Sequence, residues 1–264
     1  MNVFIAFVLA AAPALLLLRY YYRQDRARPE PKGLVLRVFV FGLLSAFAAV
    51  PLELLVGLFQ DLFRISPLLH AAFKAFIVAA LVEEFLKLTV VRWFAYRSPH
   101  FDEVMDGVVY TIVASLGFAC VENILYVMGG TLLTALLRAF TAVPLHATAS
   151  GLMGYYVGKA KFALNTDSER RLQNRGLLMA VLIHGTYNFL LFMGPQWGPP
   201  ATLGIVPLVA VAFFMLRRRI RNAMEDDRLA GRIPAGDQGV QPPPLVTPRT
   251  RPSSPPPPDR PPTD

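Results

Sequence analysis

Leu81-Val82-Glu83-Glu84-Phe85-Leu86-Lys87 sets three charged residues inside an apolar run, with Ala71 to Ala80 before it and Leu88 to Phe94 after it. A run of that length reads as a helix crossing the membrane. Ionisable groups near its middle are costly there, which marks them for function by default. On a helix Glu83 and Lys87 stand four residues apart on one face, while Glu84 points about 100° away. One carboxylate can pair with Lys87 while the other faces something else.

The rest of the chain agrees with a membrane protein. Of its 264 residues 54% are hydrophobic and only 17% charged, less charge than a soluble domain of this size carries. The net charge of +8 does not point to nucleic acid, because most Lys and Arg lie in loops between apolar segments, where they orient a chain in the bilayer. Cys120 is the single cysteine, so an intrachain disulfide is excluded.

Seven apolar runs, roughly 2–22, 34–58, 67–94, 105–128, 131–157, 176–193 and 200–216, predict an all-α polytopic bundle of about seven transmembrane helices. The first run has no basic residue ahead of it and is followed by Arg19, Arg23, Arg26 and Arg28, the reverse of a secretory signal. Basic residues return at Arg92 and Arg97, at Lys159 to Arg175 and at Arg217 to Arg221, while the alternate loops hold little beyond Arg64. The positive-inside rule then gives a multi-pass cell-membrane protein with its N-terminus outside and its C-terminus in the cytoplasm. Residues 1–221 form the membrane domain, with 67–193 as its core. Residues 222–264, rich in proline, read as a disordered cytoplasmic tail whose partner, if any, the sequence does not name.

Polar residues recur inside the later runs: Asp106, Glu122 and Asn123 in the fourth, Arg138 and His146 in the fifth, His184 and Asn188 in the sixth. Counting inward from Arg92, Lys159 and Arg175 at 1.5 Å per residue puts Glu83 and His184 roughly 14 Å deep, and His146 and Asn188 roughly 20 Å. Glu122 falls roughly 24 Å in and Arg138 roughly 31 Å, which makes them better partners for each other than for the histidines. A carboxylate, two imidazoles and an amide at similar depth can hydrolyse a bond. The carboxylate takes a proton from water, and N–H groups stabilise the oxyanion. Lys87 would keep a buried Glu ionised. The bland reading of the same residues is a polar network joining helices.

Other chemistries have weaker sequence support. Glu83, His146 and His184 also make a two-His-one-carboxylate zinc set, but each sits on a separate helix with no His-Glu-x-x-His pair. Ser115, Ser150 and Thr148 lack a Gly-x-Ser-x-Gly elbow. A proton-coupled transporter or channel, using the Glu/His ladder as a relay, would show paired halves with interrupted helices, and no such pairing is evident. A catalytically silent membrane scaffold is the remaining alternative.

Taken in order, Glu83-Glu84-x-x-Lys87, Asp106-Gly107 leading to Gly117-Phe118-x-x-x-Glu122-Asn123, His146 and His184-x-x-x-Asn188 resemble the PrsW intramembrane proteases, relatives of the type II CAAX prenyl endopeptidases. The resemblance covers about residues 67–193. It implies a peptidase in which Glu83 activates water with Glu84 beside it, His146 orients that water, and His184 with Asn188 forms the oxyanion site. Lys87, Glu122, Asn123 and Arg138 would be supporting residues. It further implies a membrane-anchored substrate such as an anti-sigma factor. Family members are labelled metalloproteases, whereas the prenyl-protease relatives imply glutamate chemistry without a metal, and no cofactor is the favoured expectation.

Overall fold

A helix that is apolar on every side belongs in the middle of a bundle, and the fourth run is such a helix. The computed structural model describes residues 3–25, 28–61 and 66–233, and every regular element among them is helical. Arg64 and most of the expected tail lie outside the described residues. Helix α5 (Val104–Gly129) is buried almost continuously from Val104 to Val121. Packed around it are α1 (Val3–Tyr22), α2 (Lys32–Asp61), α7 (Ala142–Lys161) and α10 (Ile205–Leu229). Helix α8 (Thr166–Trp197) packs against α7, and the short α9 (Pro199–Leu203) joins α8 to α10. Leu54, Leu58, Leu178 and Phe214 stay exposed on the outside, as lipid-facing side chains do.

Among the described residues five helical stretches, 32–60, 104–129, 132–161, 166–197 and 199–229, are long and apolar enough to cross a bilayer, against the seven apolar runs of the sequence. The protein is an all-α polytopic membrane bundle. The stretch that opened the sequence reading lies on one unbroken rod made of α3 (Pro67–Phe73), a π-helical stretch (Lys74–Leu81) and α4 (Val82–Phe94). Ser66 caps the start of the rod by accepting the Leu69 amide, and Pro67 occupies the first helical position. Each π turn takes in more residues than an α turn, so this stretch resets the direction in which Glu83 and Glu84 point. It lies against α8, where the bare Gly185 admits the Phe76 ring up to the backbone.

Two features depart from the sequence expectation. The fifth run is divided at Thr141 into α6 (Leu132–Phe140) and α7. Pro144 accounts for the break, since it has no amide to bond the Phe140 carbonyl and its ring crowds that carbonyl. The expected boundary at residue 221 is also crossed, because α10 runs on to Leu229 and its end is packed. Asp227 is fully buried and accepts the Val104 and Met105 amides at 2.7 and 3.0 Å, capping α5 from another helix. Lys159 pairs with Asp226 at 3.1 Å.

The α5–α7 crossing depends on residues without side chains. A Cβ on Gly158 would collide with the Val104 carbonyl, and one on Gly154 with the Gly107 carbonyl and Thr111 Oγ1. At Gly158 the collision is entirely with backbone, which cannot swing aside. Gly158→Val is therefore expected to cost about 2–3 kcal/mol, the upper part of the usual overpacking range. A melting curve of the purified protein, compared with that of an uncrowded control such as Gly57→Ala, whose added Cβ meets nothing within 4 Å, measures it.

Candidate active site

The rod bearing Glu83 and Glu84 lies against α2, α5 and α8, so its charged face is enclosed. Glu84 and Lys87 are fully buried, Glu83 is 5% exposed, and His146 and His184 are 2% exposed each. Burial of this kind requires each charge to be paired and hydrogen-bonded.

Lys87 is the hub. Its ammonium donates to Glu84 Oε1 at 2.7 Å, to Glu83 Oε2 at 3.3 Å and to His146 Nδ1 at 2.9 Å. Those are its three protons. The nitrogen also stands 4.4 Å from the centroid of the Phe118 ring, whose face favours a cation. An ammonium can only donate, so His146 Nδ1 accepts and its proton resides on Nε2, which donates to Glu122 Oε2 at 2.7 Å. Both ring nitrogens of His146 are thus engaged.

The two adjacent glutamates differ. Glu84 accepts from Lys87, from Ser150 Oγ at 2.7 Å and from His184 Nδ1 at 3.0 Å, so its carboxylate is fully occupied. Among the described residues Glu83 has only the long Lys87 hydrogen bond, and it faces His184 Nε2 across 3.9 Å. With Nδ1 donating to Glu84, the other nitrogen of His184 is directed to the space beside Glu83. The two imidazole rings meet edge to face with centroids 4.7 Å apart. Donor atoms of Glu83, His146 and His184 all lie within 4.8 Å of one another. Residues from three runs that depth counting put near one level do converge.

Glu122 is placed differently from the sequence expectation. It does pair with Arg138, at 3.2 Å, but it bonds His146 as well and so joins the outer ion pair to the central cluster. Depth counting gave the ion pair with Arg138 and missed the contact with His146. Arg138 Nε donates to Asn123 Oδ1 at 2.9 Å, and its guanidinium lies 3.9 Å from the Tyr126 ring centroid. Asn188, one turn beyond His184, is half-buried and makes no hydrogen bond among the described residues. The structure does not join it to the cluster by contact.

Ser150 and Ser115, weighed in the sequence only as nucleophiles, take a supporting place that sequence reasoning missed. Ser115 donates to the His146 carbonyl at 2.8 Å, and Ser150 Oγ lies 2.9 Å from Ser115 Oγ as well as against Glu84. No nucleophile elbow surrounds either serine, and neither faces the Glu83 side. They hold Glu84 and α7 in place. The sequence signal was only a pair of small polar residues on the two most buried helices.

Comparison with known proteins gives the family of the chain. The family described as PrsW family intramembrane metalloprotease matches residues 30–216. The Protease PrsW of Geobacillus kaustophilus (strain HTA426) is 41% identical over 187 residues, 71% of this chain and 80% of that protein. The Protease PrsW of Oceanobacillus iheyensis is 34% identical over 215 residues, covering 81% and 94%, and that of Bacillus subtilis (strain 168) is 34% identical over 186 residues, covering 70% and 82%. No solved structure matches. The chain belongs to the PrsW family and is an intramembrane protease.

Proposed function

We propose that the protein cuts membrane-anchored protein substrates, an anti-sigma factor among them, by glutamate-activated water without a resident metal. The observation that carries this reading is the inequality between the two glutamates. Glu84 is saturated, while Glu83 retains accepting capacity toward the same space as His184 Nε2. A water there donates to Glu83, loses its proton to it and attacks the scissile carbonyl carbon. As the tetrahedral intermediate forms, protonated His184 donates Nε2–H to the oxyanion, with Glu84 as the countercharge behind Nδ1. Collapse of the intermediate breaks the C–N bond, and Glu83 returns its proton to the leaving amine. Asn188, on the same face of α8 one turn on, is the second oxyanion donor once a substrate draws the helix face together. His146, with both nitrogens committed, positions Lys87 and Glu122 and leaves the water to Glu83.

The family description names a metal, and the donor kinds of Glu83, His146 and His184 are those of zinc. Lys87 argues against it. A fixed ammonium takes His146 Nδ1 and shares Glu83, and the second nitrogen of His146 is held by Glu122. A divalent ion on these three residues would lie against an unscreened positive charge, so the set does not fit a resident metal while Lys87 is charged. Cleavage of a co-expressed membrane-anchored substrate is expected to survive EDTA and phenanthroline at full rate, with no stoichiometric zinc in the purified protein by elemental analysis. Chelator-sensitive cleavage that zinc restores would overturn the metal-free reading.

The orientation follows the same reasoning. Arg28, Lys159, Lys161 and Arg232 contact Asp102, Asp226, the Tyr96 carbonyl and Asp227, which gathers the basic loops at one end of the bundle. That end is cytoplasmic by the positive-inside rule, giving an N-out, C-in chain. In intact cells an impermeant thiol reagent should label a cysteine fused ahead of the N-terminus and spare one inserted after Arg232; the reverse pattern refutes the orientation.

A further inference from the structure

The basic end of the bundle also holds a nest of carboxylates that the hydrolytic site does not use. Asp25 and Glu30 come from the connection between α1 and α2, and Asp106 comes from the first turn of α5. All three are buried, at 4%, 3% and 1% exposure, and one donor oxygen from each lies within 4.8 Å of the other two. Asp106 is 16 residues from Glu122 along α5, or about 24 Å of helix, so this cluster is separate from the protease centre.

Protein groups account for only part of its bonding capacity. Asp106 Oδ2 accepts the Asp102 and Glu103 amides at 2.7 Å each, and Glu30 Oε2 accepts the Tyr110 hydroxyl. Asp25 Oδ2, buried with the rest, has no hydrogen-bond partner among the described residues. The neighbouring guanidiniums are committed to other carboxylates: Arg28 pairs with Asp102 at 2.8 Å and approaches Glu103 at 3.6 Å, and Arg232 pairs with Asp227 at 3.0 Å. Among the described residues no cationic side chain forms an ion pair with these three carboxylates; buried carboxylates so placed suit a metal ion, and an all-oxygen set selects a hard one.

We propose that Asp25, Glu30 and Asp106 bind a hard divalent cation, Ca²⁺ or Mg²⁺, which pins the α1–α2 connection to the start of α5. Ligands on opposite sides of a Ca²⁺ ion stand about 4.6–5.2 Å apart and those across Mg²⁺ about 4.1 Å, so the cluster accepts either ion with little movement. Waters complete the coordination. The bound ion neutralises the cluster and fixes the N-terminal turn of the central helix, so it stabilises the whole bundle from the cytoplasmic side.

The competing explanation is a proton shared between Glu30 and Asp106, whose side chains approach within hydrogen-bonding reach. Luminescent Tb³⁺, added to the full-length protein in detergent and excited through Tyr22 and Tyr110, separates the two. The cation site predicts a saturable signal of one ion per chain, displaced by Ca²⁺ or Mg²⁺, with affinity at least about tenfold weaker in Asp25→Asn and lost in Asp25→Asn combined with Glu30→Gln. It also predicts that millimolar Ca²⁺ or Mg²⁺ raises the melting temperature of the unaltered protein, a readout independent of whether the variants fold. No saturable signal, an unchanged affinity in Asp25→Asn, or a protonated-carboxyl infrared band that persists at saturating cation with no change in melting would each overturn the site.

Discussion

Glu83→Gln is expected to lower the turnover of a membrane-anchored substrate by roughly three orders of magnitude, the middle of the range for a general base, with substrate affinity nearly unchanged. The amide matches the carboxylate in shape and keeps an oxygen to accept from Lys87, so the fold should survive. What disappears is the only carboxylate in the cluster with capacity to spare beside His184. Glu84→Gln tests the assignment, because it also removes a charge one residue away. Its carboxylate accepts from Lys87, Ser150 and His184, and an amide must either turn its NH2 toward Lys87 and His184 or make the Ser150 hydroxyl reverse its bond. That variant should lose stability as well as activity, whereas Glu83→Gln should lose activity alone. Turnover and melting temperature measured together decide it. A Glu83→Gln protein that still cleaves, beside a stable but dead Glu84→Gln protein, would exchange the roles of the two residues.

The central cluster was legible because ionisable groups within long apolar runs are rare and costly, and basic loops supply a ruler for depth. The ruler holds while a helix is straight, and it brought Glu83, His146 and His184 to one level. It also paired Glu122 with Arg138, as the structure has them, but missed that Glu122 reaches His146 as well. Facing was not legible either. A helical wheel separates Glu83 from Glu84 by about 100° but cannot say which of them meets the histidines, and the π-helical stretch just before them shifts the phase further. The roles of Ser115 and Ser150 needed the facing helix to be known. The packed end of α10 was hidden by the charge of Glu225 to Arg228, which resembles the tail that follows. The contacts of Asp227 with the α5 amides and of Asp226 with Lys159 distinguish the two.

Lys87→Met should have the largest effect on stability. The cluster contains three carboxylates, Glu83, Glu84 and Glu122, against two permanent cations, Lys87 and Arg138. Methionine fills much the same volume along the stem but leaves Glu84 fully buried without one of its two shortest contacts, Glu83 without its only hydrogen bond among the described residues and His146 Nδ1 without a donor. Removing one partner of a buried pair typically costs about 3–5 kcal/mol, which lowers the melting temperature of a protein of this size by roughly 10 °C. Arg138→Met should cost less, since its side chain and that of Glu122 are 11% and 22% exposed and solvent or headgroups can take over part of the pairing. The combined change Lys87→Met with Glu84→Gln removes one positive and one negative charge and should recover most of the lost stability, because a neutral amide is far cheaper to bury than an uncompensated carboxylate. Activity should not return with it, since the double variant still lacks the ammonium that holds Glu83 ionised and the charge that orients His184. Thermal melts of the four proteins in one detergent, with cleavage assays alongside, test each step. If Lys87→Met melts within a few degrees of the parent, Lys87 is not the hub of the site.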